Sequence, residues 1–151
     1  MMSIEDLIDA WRVNNQLNLE LLGICQESDL DLKPGSGKTI RSNFTHLIGT
    51  RKAWLADKLA VEAATIPKLD WKTAAKSELA LALEVSSPLM AALFKKMEAS
   101  VKPGKWTTVK FYSYCIAHEA HHRSQIEISL RMNDREPDEN FLWGLWDWAK
   151  K

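Results

Sequence analysis

The chain has 151 residues, a length typical of one domain with a sizeable hydrophobic core. Its 20 Lys and Arg residues balance its 20 Asp and Glu residues, so the formal net charge is zero. Without a basic excess the chain lacks the attraction to phosphate backbones that nucleic-acid-binding proteins use, and we expect no nucleic-acid partner.

Two features of the sequence predict a cytoplasmic protein. Cys25 and Cys115 fall within apolar helical patterns and are too few for a disulfide framework or a cysteine-rich zinc site. Residues 1–6 show no basic region followed by an apolar stretch, and no run approaches the roughly 18 uninterrupted apolar residues of a membrane span. We therefore expect a soluble, unexported protein with reduced, buried thiols and no membrane partner.

The first two helices are predicted from apolar residues that recur every three or four positions. The first begins after Ser3 and runs until a loop at residues 31–37 that is rich in Pro and Gly. The second opens at Thr39, a residue type that caps helices, and extends to about Ala64.

A third helix, rich in Ala and Leu, is predicted to start after Asp70 or Thr73 and to reach Met97. Proline removes a backbone donor and clashes with the preceding turn. Pro88 therefore predicts a kink, or a break into two helices, near residues 86–87.

The fourth helix is predicted from about Thr108 to Met132, and a short amphipathic helix is predicted over residues 141–148. No segment shows the alternating pattern of a strand. The sequence thus predicts an all-α protein, with a single domain over residues 1–151 that forms a four-helix bundle of the up-and-down type with a short C-terminal capping helix. Metal sites in such bundles are built from inward side chains on facing helices.

Two histidines of the fourth helix, His118 and His122, are four residues apart and therefore lie on one helix face. They stand in the middle of a stripe that begins at Phe111 and ends in polar residues such as Gln125, whereas His121 lies at its margin. Buried polar groups without partners cost about 1 to 3 kcal/mol each, and a metal ion would satisfy this stripe. The alternative is a pair of surface or hydrogen-bonded histidines.

Residues 118–122 also match the zinc-protease pattern His-Glu-x-x-His, in which Glu119 would be the general base. Such a protease needs a third ligand downstream and a cleft beside a strand, and the sequence predicts neither. His46, on the second helix, offers a third ligand from upstream. It lies at the edge of the apolar arc of its helix, so a partly exposed boundary histidine is the alternative.

Three parts of the chain together resemble the DinB-like superfamily. They are the run from His118 to Gln125, residues 131–137 with 141–146, and His46-Leu47 followed by Trp54. The resemblance extends over nearly the whole chain. Its strongest motif is His-x-x-x-His-Arg-Gly-Gln, in which Ser124 stands where the family commonly has Gly.

The resemblance implies a four-helix bundle, often a homodimer, that holds a divalent ion through His46, His118 and His122. Zinc is the first expectation and nickel or iron the alternatives, since imidazole suits all three. Characterised relatives include transferases that use low-molecular-weight thiols such as bacillithiol and mycothiol. We therefore expect a thiol S-transferase in which a metal-activated thiolate attacks an electrophilic small molecule. The alternative is a non-catalytic metal-binding bundle of the stress response.

Four further residues are candidates for supporting the ligands or binding substrate: Arg123, Gln125, Tyr114 and Glu119. Arg123 would orient an anionic group, and the others would contact the ligands. The simpler interpretation is surface charge for Arg123 and Glu119, and packing for Tyr114.

Overall fold

The computed structural model describes residues 3–100 and 104–151, and all regular structure within them is helical. The α-helices are α1 (Ile4–Ile24), α2 (Ile40–Ala56), α3 (Ala60–Ala63), α4 (Lys76–Glu98), α5 (Thr108–Arg131) and α6 (Glu139–Gly144). Short 3₁₀ helices occur at Glu27–Asp31 and Trp148–Lys150. The predicted all-α bundle of four long helices with a short C-terminal helix is confirmed.

Side-chain caps fix the starts of three long helices close to the predicted positions. The Ser3 hydroxyl accepts from the Asp6 backbone N–H at 3.2 Å, and the Asp6 carboxylate accepts from the Ser3 N–H at 2.7 Å. Thr39 and Thr107 cap α2 and α5 in the same way through their hydroxyl oxygens. Such caps satisfy backbone donors that have no partner within the helix.

α1 and α4 pack against each other in antiparallel directions. The Lys95 ammonium lies 2.9 Å from a carboxylate oxygen of Glu5 at one end of the pair. At the other end the Lys76 ammonium donates to the Gly23 carbonyl at 2.8 Å.

α2 and α4 instead run in the same direction. The Arg41 guanidinium donates to the Ala74 carbonyl near the start of both helices, and Lys96 donates to the Lys58 carbonyl near their ends at 2.8 Å. α5 then returns antiparallel to α2. The order is therefore up, down, down, up and not strictly alternating, because the long joint at residues 57–75 carries the chain back along the bundle.

Several predicted boundaries differ from the structure. α2 ends at Ala56 and not near Ala64, because the Leu55 carbonyl accepts from the N–H groups of both Lys58 and Leu59 in a tightened turn. The apolar spacing continues through this turn, so periodicity alone could not locate it. α1 ends at Ile24, and the 3₁₀ helix that follows it was not predicted.

α4 is continuous through Pro88, so the predicted break into two helices is wrong. Ser86 and Ser87 are buried, and the Trp11 indole N–H of α1 donates to the Ser87 carbonyl at 3.0 Å. Tertiary packing along α1 and α2 therefore holds the helix together where its sequence predisposes it to break.

The core draws its largest side chains from all four long helices. Trp11 meets Phe94 edge to face, with ring centroids 5.3 Å apart. Both are fully buried, as are Phe44 of α2 and Phe111 of α5. Burying a side chain of this size contributes roughly 1.5 to 3 kcal/mol, so these rings are a large part of what closes the bundle.

Residues 131–137 attach the end of α5 to the loop before α2. The Arg135 guanidinium donates to both oxygens of Asp29, at 3.0 and 3.1 Å. The Asn133 amide donates to the carbonyls of Lys33 and Ser129, at 3.0 and 2.7 Å. Residues 131–137, which carry part of the family resemblance, therefore hold the end of α5 against the loop before α2.

By length and composition alone, α4 is apolar enough to cross a membrane, with a mean hydropathy of 1.3 in its most apolar window. Of that window, 44% is buried inside the bundle. The core helix of a helical bundle meets the same criterion, and α4 packs against both α1 and α2. We therefore interpret α4 as a core helix.

Candidate metal centre

Three of the four histidines meet where α2 and α5 pack together. His118 and His122 lie one turn apart on α5, and His46 belongs to α2. The ring centroids are 4.6 Å apart for His118 and His122, 4.7 Å for His46 and His122, and 5.4 Å for His46 and His118. One ligand nitrogen of each ring lies within 4.8 Å of the other two. The structure thus brings together the three residues that the sequence analysis named as ligands.

The histidine cluster lies at the rim of the bundle. His122 is buried, with 7% of its surface exposed, His118 is half-buried and His46 is exposed. Solvent and small molecules can therefore reach the three rings. The fourth histidine, His121, is exposed and lies outside the cluster, with its ring centroid 5.2 Å from that of His122.

A buried asparagine holds one of the rings. The Oδ1 atom of Asn43 lies 2.9 Å from Nδ1 of His122, and the Asn43 amide nitrogen donates to the Thr39 carbonyl at 3.0 Å. Because the amide nitrogen is engaged by a carbonyl, Oδ1 accepts the N–H of Nδ1. The Nε2 lone pair of His122 is then left for a metal ion, which is the usual arrangement around ligating histidines. This role of Asn43 was not predicted, although Asn43 precedes His46 by one helical turn.

The local environment keeps the three histidines neutral. Burial is the main cause at each site, and with the neighbouring rings of His118 and His46 it lowers the pKa of His122 to about 4. Burial and the charge of His46 lower the pKa of His118, and burial and the charge of Lys38 lower that of His46. Neutral imidazole is the form that binds metals, so the rings are ready to act as ligands near pH 7.

The donor set fits a divalent ion of the zinc, nickel or iron class. Three imidazole nitrogens are a known ligand set of catalytic zinc, and they leave a fourth position for water or substrate. Two nitrogens bound to one tetrahedral zinc ion lie roughly 3.4 Å apart, so the three rings, whose nitrogens lie within 4.8 Å of one another, must close slightly around an ion. Within the described part of the chain no carboxylate or thiolate joins the cluster, which disfavours magnesium and calcium.

Glu119 points away from the cluster into the bundle, where only 2% of it is exposed. Its carboxylate accepts two hydrogen bonds from Arg51, at 2.6 and 2.9 Å, and one each from Asn14 and Asn18, at 2.6 and 2.8 Å. Burial by itself raises the pKa of Glu119, but the charge and hydrogen bonds of Arg51 outweigh burial and keep the pKa below its ordinary value. Glu119 is therefore an ionised interior group, and its interpretation as surface charge is wrong.

Arg123 is also buried, with 7% exposed, and its guanidinium donates to Oδ1 of Asn18 at 2.8 Å. Surface charge is therefore wrong for this residue too. The reason is the same for both residues, because three asparagines of α1 make a polar patch inside the bundle: Asn14, Asn15 and Asn18. Arg123 contacts this patch and not the open side of the histidine cluster.

Arg51 completes the interior network, and the sequence analysis did not identify it. Its guanidinium donates to Oδ1 of Asn15 at 2.8 Å and to the Ser86 hydroxyl at 3.0 Å. The guanidinium carbon also lies 4.8 Å from the centroid of a Trp11 ring. One side chain of α2 therefore links α1, α4 and α5. The signal in the sequence was the three asparagines in the otherwise apolar face of α1.

The zinc-protease interpretation does not agree with this geometry. A general base would have to face the open position of the metal, but Glu119 faces Arg51 and α1. No strand occurs in residues 3–100 and 104–151 to border a peptide cleft. The literal match of residues 118–122 to the protease pattern is therefore coincidental.

The two remaining candidates lie on either side of the cluster along α5. Tyr114 stacks on His118, with ring centroids 5.8 Å apart and an interplanar angle of 23°. Gln125 is half-buried three residues after His122. Tyr114 thus contacts the histidine cluster from the N-terminal side of α5.

A cation that was not among the sequence candidates lies near the histidine cluster. The charge of Lys38 lowers the pKa of both His46 and His122, although burial is the larger cause at each. Lys38 is exposed in the loop before α2, and its carbonyl accepts from the Asn43 amide at 3.5 Å. No carboxylate of the described residues forms an ion pair with it.

A comparison with protein-family models gives a match over residues 1–138, and the matching model is the DinB family. The chain belongs to the DinB family. The match covers α1 to α5 and therefore all three histidines of the cluster. Ser124, where DinB proteins commonly have Gly, is exposed on α5, so its side chain does not disturb the helix contacts. The searches of curated proteins and of solved structures found no match.

Proposed function

We propose that this DinB protein binds one divalent metal ion through His46, His118 and His122 and uses it for thiol S-transfer to an electrophilic small molecule. The observation that carries the proposal is the convergence of three neutral histidines at a solvent-accessible rim, with one coordination position left for substrate. Zinc is the first candidate ion, and nickel and iron are the alternatives.

The ion, when bound, would supply a positive charge that lowers the pKa of a substrate thiol. In the overall reaction a carbon–sulfur bond forms, the bond from that carbon to its leaving group breaks, and the thiol proton passes to solvent water. Asn43 holds His122 in the tautomer that presents Nε2. The exposure of His46 gives both substrates access to the cluster.

We propose Lys38, in place of Arg123, as the group that orients an anionic part of the thiol. Arg123 is buried against Asn18, whereas Lys38 is exposed and its charge lowers the pKa of both His46 and His122. Lys38→Ala should raise KM for a thiol that carries a carboxylate by about 3- to 10-fold and leave KM for an uncharged thiol unchanged. An equal effect on both thiols would remove Lys38 from this role.

Metal content is the first test. Protein purified without chelator should contain about one zinc, nickel or iron ion per chain, and His118→Ala and His122→Ala should lose it. His121→Ala is the matched control, because this exposed histidine is adjacent in sequence to His122 and lies outside the cluster. Unchanged metal content in the first two variants would refute the site.

Activity is the second test. The metal-loaded protein is incubated with an electrophile and a panel of low-molecular-weight thiols, and the loss of each thiol is followed. Metal-dependent loss of one thiol would support the transferase. If the protein binds metal and consumes no thiol, a non-catalytic metal-binding bundle is the better description.

Two further properties belong to the same proposal. A reducing, cytoplasmic location is supported by Cys25 and Cys115, which are unpaired and buried, and burial raises the pKa of each thiol to about 12. A homodimer is supported by the exposed indoles of Trp143 and Trp146 near the C-terminus. Sedimentation should give twice the chain mass of 17.2 kDa at micromolar concentration, and a single chain mass would contradict the dimer.

A further inference from the structure

A cavity lies at the end of the bundle where α2 and α4 end and α5 begins. Its volume is about 590 Å³, within the range of roughly 300 to 1,000 Å³ that small-molecule sites occupy. Trp54, Trp106 and Phe111 form its aromatic wall, with Leu93 and Met97 beside them. None of the three clustered histidines lines it, so it is distinct from the candidate metal centre.

The three aromatic rings of this wall meet edge to face. The ring centroids of Trp54 and Phe111 lie 4.9 Å apart at 72°, those of Trp54 and Trp106 5.8 Å at 80°, and those of Trp106 and Phe111 5.9 Å at 73°. Rings fixed nearly perpendicular to one another offer both faces and edges to a planar guest. Trp106 keeps 37% of its surface exposed, whereas Phe111 is buried and anchors the wall in the core.

Charges at the cavity select among planar ligands. Three lysines line it, Lys58, Lys96 and Lys105, together with the carboxylates of Asp57 and Glu98. Lys58 pairs with Asp57 at 3.3 Å. Lys96 donates to the Lys58 carbonyl and forms no ion pair with a carboxylate of residues 3–100 and 104–151. An aromatic wall can also bind cations, but the excess of ammonium groups disfavours them at this site.

One ring separates the cavity from the histidine cluster. Tyr114 meets Trp106 and Trp54, with centroid distances of 5.5 and 5.9 Å, and on its other side it stacks on His118. The cavity and the cluster are therefore neighbours, with Tyr114 between them.

We propose that this cavity binds a planar aromatic molecule that is neutral or carries one negative charge, and that it is the subsite for the electrophile. The assignment as an electrophile subsite rests on the proposed transferase function, whereas the binding of an aromatic ligand does not. Trp54, Trp106 and Phe111 hold the aromatic body next to Tyr114, on the side where His118 lies.

Binding is tested by calorimetry with two probes of one shape and opposite charge, 2-naphthalenesulfonate and 2-naphthyltrimethylammonium. The wild-type protein should bind the sulfonate at a single saturable site and the ammonium compound at least about 5-fold more weakly. Trp106→Ala should weaken sulfonate binding about 3- to 10-fold, and Trp106→Phe should restore most of it. Trp143→Ala is the matched control, since it removes another exposed tryptophan remote from the cavity lining.

The absence of saturable sulfonate binding would overturn the proposal. Equal binding of both probes, or equal loss in Trp106→Ala and Trp143→Ala, would also overturn it. Circular dichroism of each variant separates loss of binding from loss of fold, and Trp106 is exposed enough for its removal to leave the core in place.

Binding in the cavity is distinguished from any effect of the metal site by repeating the titration with chelator-treated protein and with His118→Ala. Sulfonate binding should persist in both, so a failure of the metal site leaves the cavity proposal standing, and the reverse also holds. If the transferase is active, Trp106→Ala should raise KM for 1-chloro-2,4-dinitrobenzene several-fold and leave KM for iodoacetamide unchanged. Equal KM changes for the two electrophiles would refute the electrophile subsite.

Discussion

Two polar clusters, the interior network of Arg51 and Glu119 and the histidine cluster at the rim, lie close together on α2 and α5. They differ in how their polar groups are satisfied. In the interior, Arg51 and Glu119 are surrounded by hydrogen-bond partners from α1 and α4. Among the described residues the one buried side-chain polar atom without a hydrogen bond is Oδ1 of Asn14. At the rim, the only hydrogen bond that the described residues make to the three clustered rings is the one between Asn43 and His122.

This difference indicates that the interior network has a structural role and that the histidine cluster has a chemical one. The interior network pairs the charges of Arg51 and Glu119 within the protein and leaves one buried acceptor, Oδ1 of Asn14, without a partner among the described residues. It therefore stabilises and orients the helices without any ligand. The histidine cluster places neutral nitrogens with free lone pairs around one point, and an external ion would complete it. On this view the interior network should matter most for stability, and the rim cluster should matter most for metal binding.

The largest effect is expected from Glu119→Ala. Arg51 would then be left as a buried cation without its paired carboxylate, a loss that typically costs about 3 to 5 kcal/mol. Urea denaturation should show this loss in free energy of unfolding. The double variant Arg51→Met with Glu119→Leu should be less destabilised than Glu119→Ala, because no unpaired charge remains at that pair. A loss below about 1 kcal/mol in Glu119→Ala would show that the network is not structural.

The second prediction concerns pH and the metal-free protein. The folded-state pKa of His122 is about 4 and the unfolded value is 6.5, so the unfolded chain binds the extra proton between these values. The contribution of His122 to stability is therefore present above pH 6.5 and is lost as the pH falls toward 4.

The contribution of His122 is isolated by comparing wild type with His122→Leu over the same pH range in the presence of chelator. The free energy of unfolding of the variant should fall less steeply between pH 6.5 and 4. Parallel curves would mean that other groups cause the whole dependence. Glu119 is distinguishable because its pKa is lowered from the ordinary 4.5, so its contribution is lost at still lower pH.

The third prediction uses the metal itself. Zinc at 100 times its dissociation constant should stabilise the wild-type protein by about 2.7 kcal/mol, because it binds the folded chain and not the unfolded one. His118→Ala should abolish this gain and change the metal-free stability by less than the Glu119→Ala substitution does. His121→Ala should keep the gain. A stabilisation by zinc that survives in His118→Ala would place the ion elsewhere.

The sequence predicted the features that depend on local spacing. Phe111, His118 and His122 recur at helical intervals, so their shared face could be read without knowing what packs against it. The helix start after Ser3 and the cap at Thr39 likewise depend on contacts within a few residues. His46 lay beyond this reasoning, because a single histidine at the edge of a helix face has no partner in its own helix, and it was chosen mainly through the family resemblance.

The interior network could not be predicted because it depends on how helices pair. Glu119 follows His118 directly and is therefore rotated about 100° from it, toward whichever helix lies on that side. That helix is α1, and two of its asparagines donate hydrogen bonds to the carboxylate of Glu119. A charge that the sequence alone would place on the surface is therefore buried. The helix break predicted at Pro88 is absent for a related reason. The hydrogen bond from Trp11 to the Ser87 carbonyl, which holds the helix there, forms only in the folded bundle.

Asn43 shares a property with each cluster. It is a buried hydrogen-bonding group, and its partner His122 is one of the three candidate metal ligands. Asn43→Leu removes the acceptor for His122 Nδ1, so the ring loses its fixed tautomer, and zinc affinity should fall about 10- to 100-fold. Asn43→Asp keeps an acceptor at this position and should retain most of the affinity. Competition with a chromophoric chelator measures both, and urea denaturation of the metal-free proteins gives their stability. Equal losses of affinity in the two variants would mean that Asn43 acts through packing and not through its hydrogen bond to His122.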